Sequence, residues 1–340
     1  MPVLPTSAEP VVRPRTPTPS PVALFLGSET SNASRAVRTG ELVKVMRDVY
    51  APAGAWRELP PWGRYLARTH AVALVRPDAV FVGEAACALH GLPVFGEPPD
   101  VHVMLPDPAK SRRRPGIRIH TTQRMPQTER LGGLIVATPA ELAVEIAHSR
   151  HPAVGLAVAG ATLRADPALS TAELSALGAT RPSARGVRTA RWVFDRATPV
   201  AESPLENVSI AVIDWLGFPA PELQHWFRDP SNGSGDRADY WWERWRAAGE
   251  ADGDIKYSGA FGDARTALQA RNARDARLRE RGVRATAHWG WRDLTAYAQL
   301  RALLLAVGLP LVRPEQTAPL STLAAALRGV PTRGWETSGR

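Results

Sequence analysis

The chain has 340 residues, 44% of them hydrophobic, which is material for more than one core of ordinary size. Its 42 Lys and Arg against 33 Asp and Glu give a formal charge of +9, which favours a polyanionic partner. A general arginine bias yields the same figure, because Lys44, Lys110 and Lys256 are the only lysines. Cys87 is the sole cysteine, so an intrachain disulfide and a Cys-based zinc cluster are excluded, and no stretch approaches the ~20 apolar residues that span a bilayer. The expectation is a cytoplasmic protein without a membrane segment.

Residues 1–22 are rich in Pro, Thr and Ser and bury too little to offset their ordering entropy, so a disordered tail is expected to about residue 30. From Ser34, SRAVRTGELVKVMRDVYAP predicts a short helix, a turn at Thr39-Gly40 and two short alternating strands. Helices follow over about Trp62 to Leu74 and within GEAACALHGLP, where Gly91 and Pro93 stop the second. GELVKVMRDVYAP, followed by AVFVGEAACALHGLPV, resembles the N-terminal region of AbiEi-type antitoxins. That resemblance implies a winged-helix DNA-binding module and then a small α/β region, together over 31–180. The family has a full first helix upstream of Arg38, where this chain has only GSETSNAS. The winged helix is therefore degenerate, and its two readings are a DNA reader and a structural remnant.

The segments DVHVMLP (100–106) and GIRIHTT (116–122) alternate as strands and flank Lys110, Ser111, Arg112, Arg113 and Arg114. That basic loop is read either as a phosphate grip, with Arg112, Arg113 and Arg114 on nucleic acid, or as a solvated hairpin tip. His102 and His120 on these strands are read as packing or surface residues, because two histidines alone make a poor metal set. Thr138, Pro139 and Glu141 predict a capped helix start, and 138–164 is expected to be mostly helical. A short helix capped by Ser170 or Thr171 follows, and then a basic helix, GVRTARWVFDRA, serves as the 181–199 linker.

The second domain, 200–306, opens with a helix signalled by Ser203 as N-cap, Pro204 at the first helical position and Glu206 closing a capping box. The strand PELQHWFRD carries Gln224. The hairpin RADYWWE and WRAAGEAD carries Asp239 on its first arm and Glu250 and Asp252 on its second. A long Arg-rich helix from about Asp263 to Arg281 leads to the strand VRATAHW and a helix from about Trp291 to Leu305. The tail 307–340 is expected to be mobile. Helix, three strands, helix, strand, helix is the order of a restriction-endonuclease-like core.

SPLE, then PELQ, then D-x10-E-x-D-G-x-x-K-Y, then the Arg-rich helix and LRERGVRATAHWGWRDL resemble the domain of very-short-patch repair endonucleases in the PD-(D/E)XK superfamily. The expected fold class is therefore α/β: a degenerate winged helix and small α/β part, followed by a restriction-endonuclease-like α/β/α domain. The resemblance implies Mg²⁺-dependent (or Mn²⁺-dependent) hydrolysis of DNA phosphodiesters. Asp239 and Glu250 would hold the metal, and Glu206 would help position the metal or a water. Lys256 would stabilise charge on the phosphorane, and Gln224 would orient water. Asp252 stands where the superfamily has lysine. Gln269 to Arg271 stand where Glu-Lys is usual, and His288 stands where arginine is usual. Arg271, Arg277 and His288 are the candidate phosphate contacts. Plainer readings coexist: Glu206 as a cap, Asp239 as the partner of Arg237, Asp252-Gly253 as a turn, and Trp241, Trp242 and Trp245 as packing.

Two functions follow from these readings. One is a Mg²⁺-dependent DNA endonuclease. The other is a non-catalytic DNA-binding or antitoxin-like regulator that keeps the nuclease fold as a scaffold. The antitoxin resemblance adds a toxin as a possible partner, and homo-oligomerisation stays open.

Overall fold

A computed structural model describes residues 15–30, 32–104, 113–120, 125–228, 234–252 and 264–328, and the architecture is mixed α/β with three sheets. The first sheet joins β1 (Phe25–Leu26), β2 (Leu42–Met46) and β3 (Val49–Pro52) in the antiparallel order β1-β3-β2, with α1 (Ala33–Thr39) before the β2–β3 hairpin. Gly40 ends α1 at φ +79°, the left-handed conformation that glycine adopts without a steric cost. Two helices follow, α2 (Ala53–Glu58) and α3 (Pro61–Val75). The tail expected to be disordered to residue 30 is held from Arg15 onward, where the Arg15 carbonyl accepts the Gly132 N–H at 3.0 Å. The Thr18 N–H donates to the Leu89 carbonyl at 2.8 Å, and Val22 is buried.

The second sheet has six strands: β4 (Val80–Phe81), β5 (Val101–Met104), β6 (Arg113–Arg114), β7 (Ile117–His120), β8 (Thr128–Leu131) and β9 (Leu134–Ala137), in the order β6-β7-β5-β4-β9-β8. Here the hairpin expected around the basic run is not what forms. β5 and β7 are parallel neighbours, and the antiparallel partner of β7 is the short edge strand β6. Arg113 and Arg114 lie on that edge strand, whereas Arg112 falls outside the described residues. Between β4 and β5, α4 (Gly83–His90) packs across the sheet.

The helices α5 (Pro139–Ser149), α6 (Pro152–Ala165), α7 (Thr171–Ala179) and α8 (Val187–Phe194) lead to α9 (Pro204–Trp215). Of these, α6 is apolar nearly all round, the pattern of a helix buried on every side. Its Val158 belongs to the core under the six-stranded sheet. Its Leu156, Ala157 and Ala159 belong to the larger core, which takes in Val208, Val212 and Trp289 of the C-terminal half. A Cβ on Gly160 would sit 2.2 Å from Asn207 Oδ1, so glycine is what lets α6 and α9 approach.

The third sheet is β10 (Glu222–Arg228), β11 (Gly235–Trp242), β12 (Ala247–Ala251) and β13 (Ala285–Trp289), in that order. The first three are antiparallel and β13 is parallel to β12. The crossover between β12 and β13 contains α10 (Ala264–Glu280), as a parallel pair requires. The final expected helix is two, α11 (Trp291–Thr295) and α12 (Tyr297–Ala306), broken at Ala296. Within the tail expected to be mobile over 307–340, the described part carries α13 (Thr317–Ala326), whose Leu320 and Leu323, with Leu327 just beyond, are buried in the main core; 329–340 lie outside the described residues. Backbone bonds from Val312 to the Gly217 carbonyl and from Gln316 to the Trp215 carbonyl tie this segment to the end of α9. No helix among the described residues is long and apolar enough to cross a membrane.

Trp289 lies over β12. A Cβ on Gly249 would meet its Cη2 at 2.4 Å and its Cζ3 at 2.8 Å, and the indole is fixed by its Nε1–H to Ser209 Oγ at 2.8 Å. A rigid, hydrogen-bonded ring cannot yield, so Gly249→Ala is expected to destabilise the protein by about 2–3 kcal/mol, read from urea unfolding. An unchanged midpoint would show that the ring is not locked.

Candidate functional site

At the start of α9, Ser203 Oγ accepts the Glu206 N–H at 3.1 Å, the N-cap expected of Ser-Pro-x-Glu. The capping box does not close. The Glu206 carboxylate passes over Ser203, and its Oε2 accepts from the Glu202 N–H and from Gln224 Nε2, both at 2.8 Å. The Thr138–Glu141 box also fails to form, since Glu141 Oε1 accepts from the Gln127 N–H instead. Ser170 and Glu173 do form a complete box.

Gln224 has φ +56°, a left-handed backbone that a long side chain rarely adopts and that costs on the order of 1 kcal/mol or more. The ladder pairs Leu223 with Tyr240 and His225 with Ala238, so Gln224 and Asp239 face each other between those pairs. From there the amide Nε2 donates to Glu206 Oε2 and, at 3.1 Å, to Asp239 Oδ1. Carboxylates only accept, so both contacts assign this atom as the NH₂ group. The other end of the amide, Oε1, is buried without a hydrogen-bond partner among the described residues. Strained backbone and an unpaired buried oxygen on one residue mark a functional position more often than a packing one.

Asp239 Oδ2 accepts the Ala251 N–H at 2.9 Å, which fixes the carboxylate to the end of β12. Arg237 does not pair with Asp239; it reaches Glu202 at 2.7 Å. Glu250, on β12, is 3% exposed, and its Oε1 accepts from Arg274 Nη2 of α10 at 2.9 Å. Arg274 also donates to the Arg237 carbonyl, so it clamps α10 to both arms of the hairpin. Burial first, and then the neighbouring Asp239 charge, push the Glu250 carboxyl up to about 8, with Arg274 opposing and Asp252 and Asp275 adding to the rise. Burial also raises Asp239, opposed by the Ala251 N–H and reinforced by Glu206.

Asp252 and His288 form a second group beside the first. His288 Nδ1 faces Asp252 Oδ2 at 2.8 Å and Nε2 faces Asp275 Oδ1 at 3.1 Å, so the ring satisfies both carboxylates only by donating from both nitrogens. His288 is thus engaged with acids rather than presented to solvent. Arg277 is likewise paired with Asp236 at 2.7 Å, and Arg271 is half-buried on α10. Lys256 lies outside the described residues. Trp241 and Trp242 are core residues, at 7% and 2% exposure. In the N-terminal half, His102 and His120 sit together, with Nδ1 and Nε2 3.2 Å apart, beside the Glu84–Arg150 pair.

Glu206, Asp239, Glu250 and Arg274 line one wall of a cleft of about 1000 Å³. Its opposite wall comes from the N-terminal half, with Trp62 and Leu66 of α3 and Leu92 to Phe95 after α4. Sequence reasoning missed Arg274 and this opposite wall. The Arg-x-x-Arg spacing at Arg271, Arg274 and Arg277 was the available signal for the first, and the second had none.

The donor chemistry suits a hard divalent cation, because the carboxylates and the unpaired Gln224 amide oxygen are all oxygen ligands. Among the described residues, however, no three or more His, Cys, Asp or Glu side chains are grouped as a metal ion requires. Any cation held here would draw on two carboxylates and the amide rather than on a preformed acidic triad.

Fold and site together define a mixed α/β protein with a buried carboxylate–amide cluster on the wall of a cleft. The chain is 32% identical over 223 residues to the uncharacterized proteins MT2308 and Rv2248 from two strains of Mycobacterium tuberculosis, a span of 63% of this chain and 74% of each relative. It belongs to the family of these mycobacterial proteins. No family model and no solved structure matches it.

Proposed function

We propose that the C-terminal half is a restriction-endonuclease-like domain and that the protein is a Mg²⁺-dependent (or Mn²⁺-dependent) DNA endonuclease. The observation that carries this reading is the side chain of Gln224, which joins Glu206 to Asp239 and leaves its amide oxygen unpaired. Asp239 and Glu250 would hold the cation, with Gln224 Oε1 as a third oxygen. Glu206 acts through Gln224, fixing which end of the amide meets the carboxylates. A cation held there would supply Lewis-acid polarisation of the scissile phosphate and would lower the pKa of an attacking water. Arg274 sets the position of Glu250 and supplies positive charge close to where negative charge develops. His288, held between Asp252 and Asp275, adds a second fixed polar group where the superfamily has arginine.

The test is direct. Purified protein incubated with single-stranded, duplex and mismatched DNA is expected to cut at least one of them in Mg²⁺ or Mn²⁺ and none in EDTA. Intact DNA under every condition would reject the enzyme reading.

A second reading has its own observation. The α1–β2–β3 unit exposes Lys44 and Arg47 on and beside a two-stranded wing. As a degenerate winged helix it suits a non-catalytic DNA-binding regulator, with the C-terminal domain as scaffold and a toxin as possible partner. Salt-sensitive gel shifts without any cutting would favour that reading.

A further inference from the structure

The cleft beside Asp239 and Glu250 is half open to solvent. From the N-terminal half, Trp62, Leu92 and Phe95 bring an apolar, partly aromatic lining to it, and Phe95 meets Trp291 edge to face with centroids 5.9 Å apart. At about 1000 Å³ the space is at the upper end of ligand-pocket size. At its edge stands Trp226 of β10, 48% exposed, with the guanidinium groups of Arg228 and Arg237 5.3 and 5.7 Å from its ring centre. A half-exposed tryptophan with two guanidinium groups beside it presents a stacking face next to positive charge, the pairing that takes an unstacked base and its phosphate.

We propose that this cleft takes a single DNA strand, unpaired around the scissile phosphate, rather than a continuous duplex. The inference rests on the nuclease reading for the chemistry at Asp239 and Glu250, and on the cleft itself for the form of the substrate. In a duplex the base faces are covered by stacking on the neighbouring pairs, so the rings of Trp62, Phe95 and Trp226 that line the cleft could not reach them. An unpaired strand instead turns its base faces to the aromatic wall, and stacking is tolerant of sequence because every base has a π face. The arginines beside Trp226 meet the backbone where it enters.

The experiment measures fluorescence anisotropy of a short labelled single strand and of its blunt duplex, in Ca²⁺, on the full chain. Wild type, Trp226→Ala, Trp226→Phe and Phe95→Ala are compared, and the same DNAs are then incubated in Mg²⁺ and Mn²⁺. The single strand is expected to bind at least about tenfold more tightly than the duplex. Trp226→Ala is expected to lose about tenfold of that affinity and Trp226→Phe to keep most of it. Trp226 is half exposed, so its replacement does not threaten the fold, and it carries the test if Phe95→Ala fails to fold. Equal binding of both DNAs, binding of neither, or an unchanged Trp226→Ala affinity would overturn the inference. Selective single-strand binding without cutting in either metal would leave the cleft assignment standing and remove the nuclease reading. Metal-dependent cutting of duplex with no strand preference would do the reverse.

Discussion

Glu250→Gln and Asp239→Asn are each expected to lower metal-dependent DNA cleavage by at least about 100-fold, because each removes a carboxylate that would hold the cation in its ionised form. Both changes keep shape and volume. After Glu250→Gln the new amide oxygen can still accept from Arg274; after Asp239→Asn the new amide oxygen can still accept the Ala251 N–H, while its NH₂ replaces the oxygen that accepts from Gln224 and that one bond is lost. Lost cleavage with a native melting curve therefore reports chemistry and not collapse. Gln224→Ala and Glu206→Gln test the next layer. Removing the bridge takes the Gln224 donor from both carboxylates, which keep their bonds to the Glu202 and Ala251 N–H groups, and a loss of roughly 10- to 100-fold is expected. Initial rates at saturating Mg²⁺ and DNA separate the two classes. Glu206→Gln should regain part of its activity at higher metal concentration, whereas Asp239→Asn should not. Cleavage unchanged in Glu250→Gln would place the active residues elsewhere in the chain.

How far the sequence announced this site depends on the range of the interaction involved. The start of α9 was legible because an N-cap is local: Ser203, Pro204 and Glu206 say helix whatever lies around them. The hairpin carrying Asp239 and Glu250 was legible because strand alternation and turn residues fix its register. The destination of the Glu206 side chain was not, since the capping-box rule counts positions along one helix and cannot see Gln224 on another element. Nor does Leu-Gln-His announce a left-handed residue in mid-strand, where glycine or asparagine would have been the signal. Arg274 depends on how α10 lies across the hairpin, a matter of packing between segments 24 positions apart. The parallel pairing of β5 and β7 defeated a rule that favours hairpins between strands joined by a short linker. The helix α13, docked by one apolar stripe, carried its signal openly in Leu320, Leu323 and Leu327, but Pro and Gly on both sides pointed to a loose tail.

Stability is expected to fall as pH rises from about 5 to about 9, and Glu250→Gln is expected to abolish most of that fall. Glu250 is held to about 8 in the folded protein against 4.5 for an ordinary glutamate, so between those values the native state keeps a proton that the unfolded chain has released. Protons bound more tightly by the native state stabilise it below the unfolded pKa, and that stabilisation is lost as pH rises through the folded one; the gap corresponds to something on the order of 5 kcal/mol. The groups around Glu250 set the sign: burial, Asp239, Asp252 and Asp275 hold the proton on, and Arg274 opposes them. Asp239 is raised as well and steepens the same slope. On the acid side, burial, His102, Arg118 and Arg150 hold His120 down to about 4 while Glu84 opposes. Its contribution is therefore lost as pH falls below about 6.5, which leaves a stability maximum near the middle of the range. The acid limb should survive Glu250→Gln and the alkaline limb should not. Mg²⁺ enters the same linkage, because a cation binds the ionised carboxylate and must displace the proton first. Added Mg²⁺ should thus raise the melting temperature more at pH 8.5 than at pH 6, and should raise it little in Glu250→Gln at either. A flat alkaline limb in the wild type would mean that Arg274 keeps Glu250 ionised throughout. In that case the carboxylate would meet a cation without a proton to lose, and the Mg²⁺ effect on melting would be the same at both pH values.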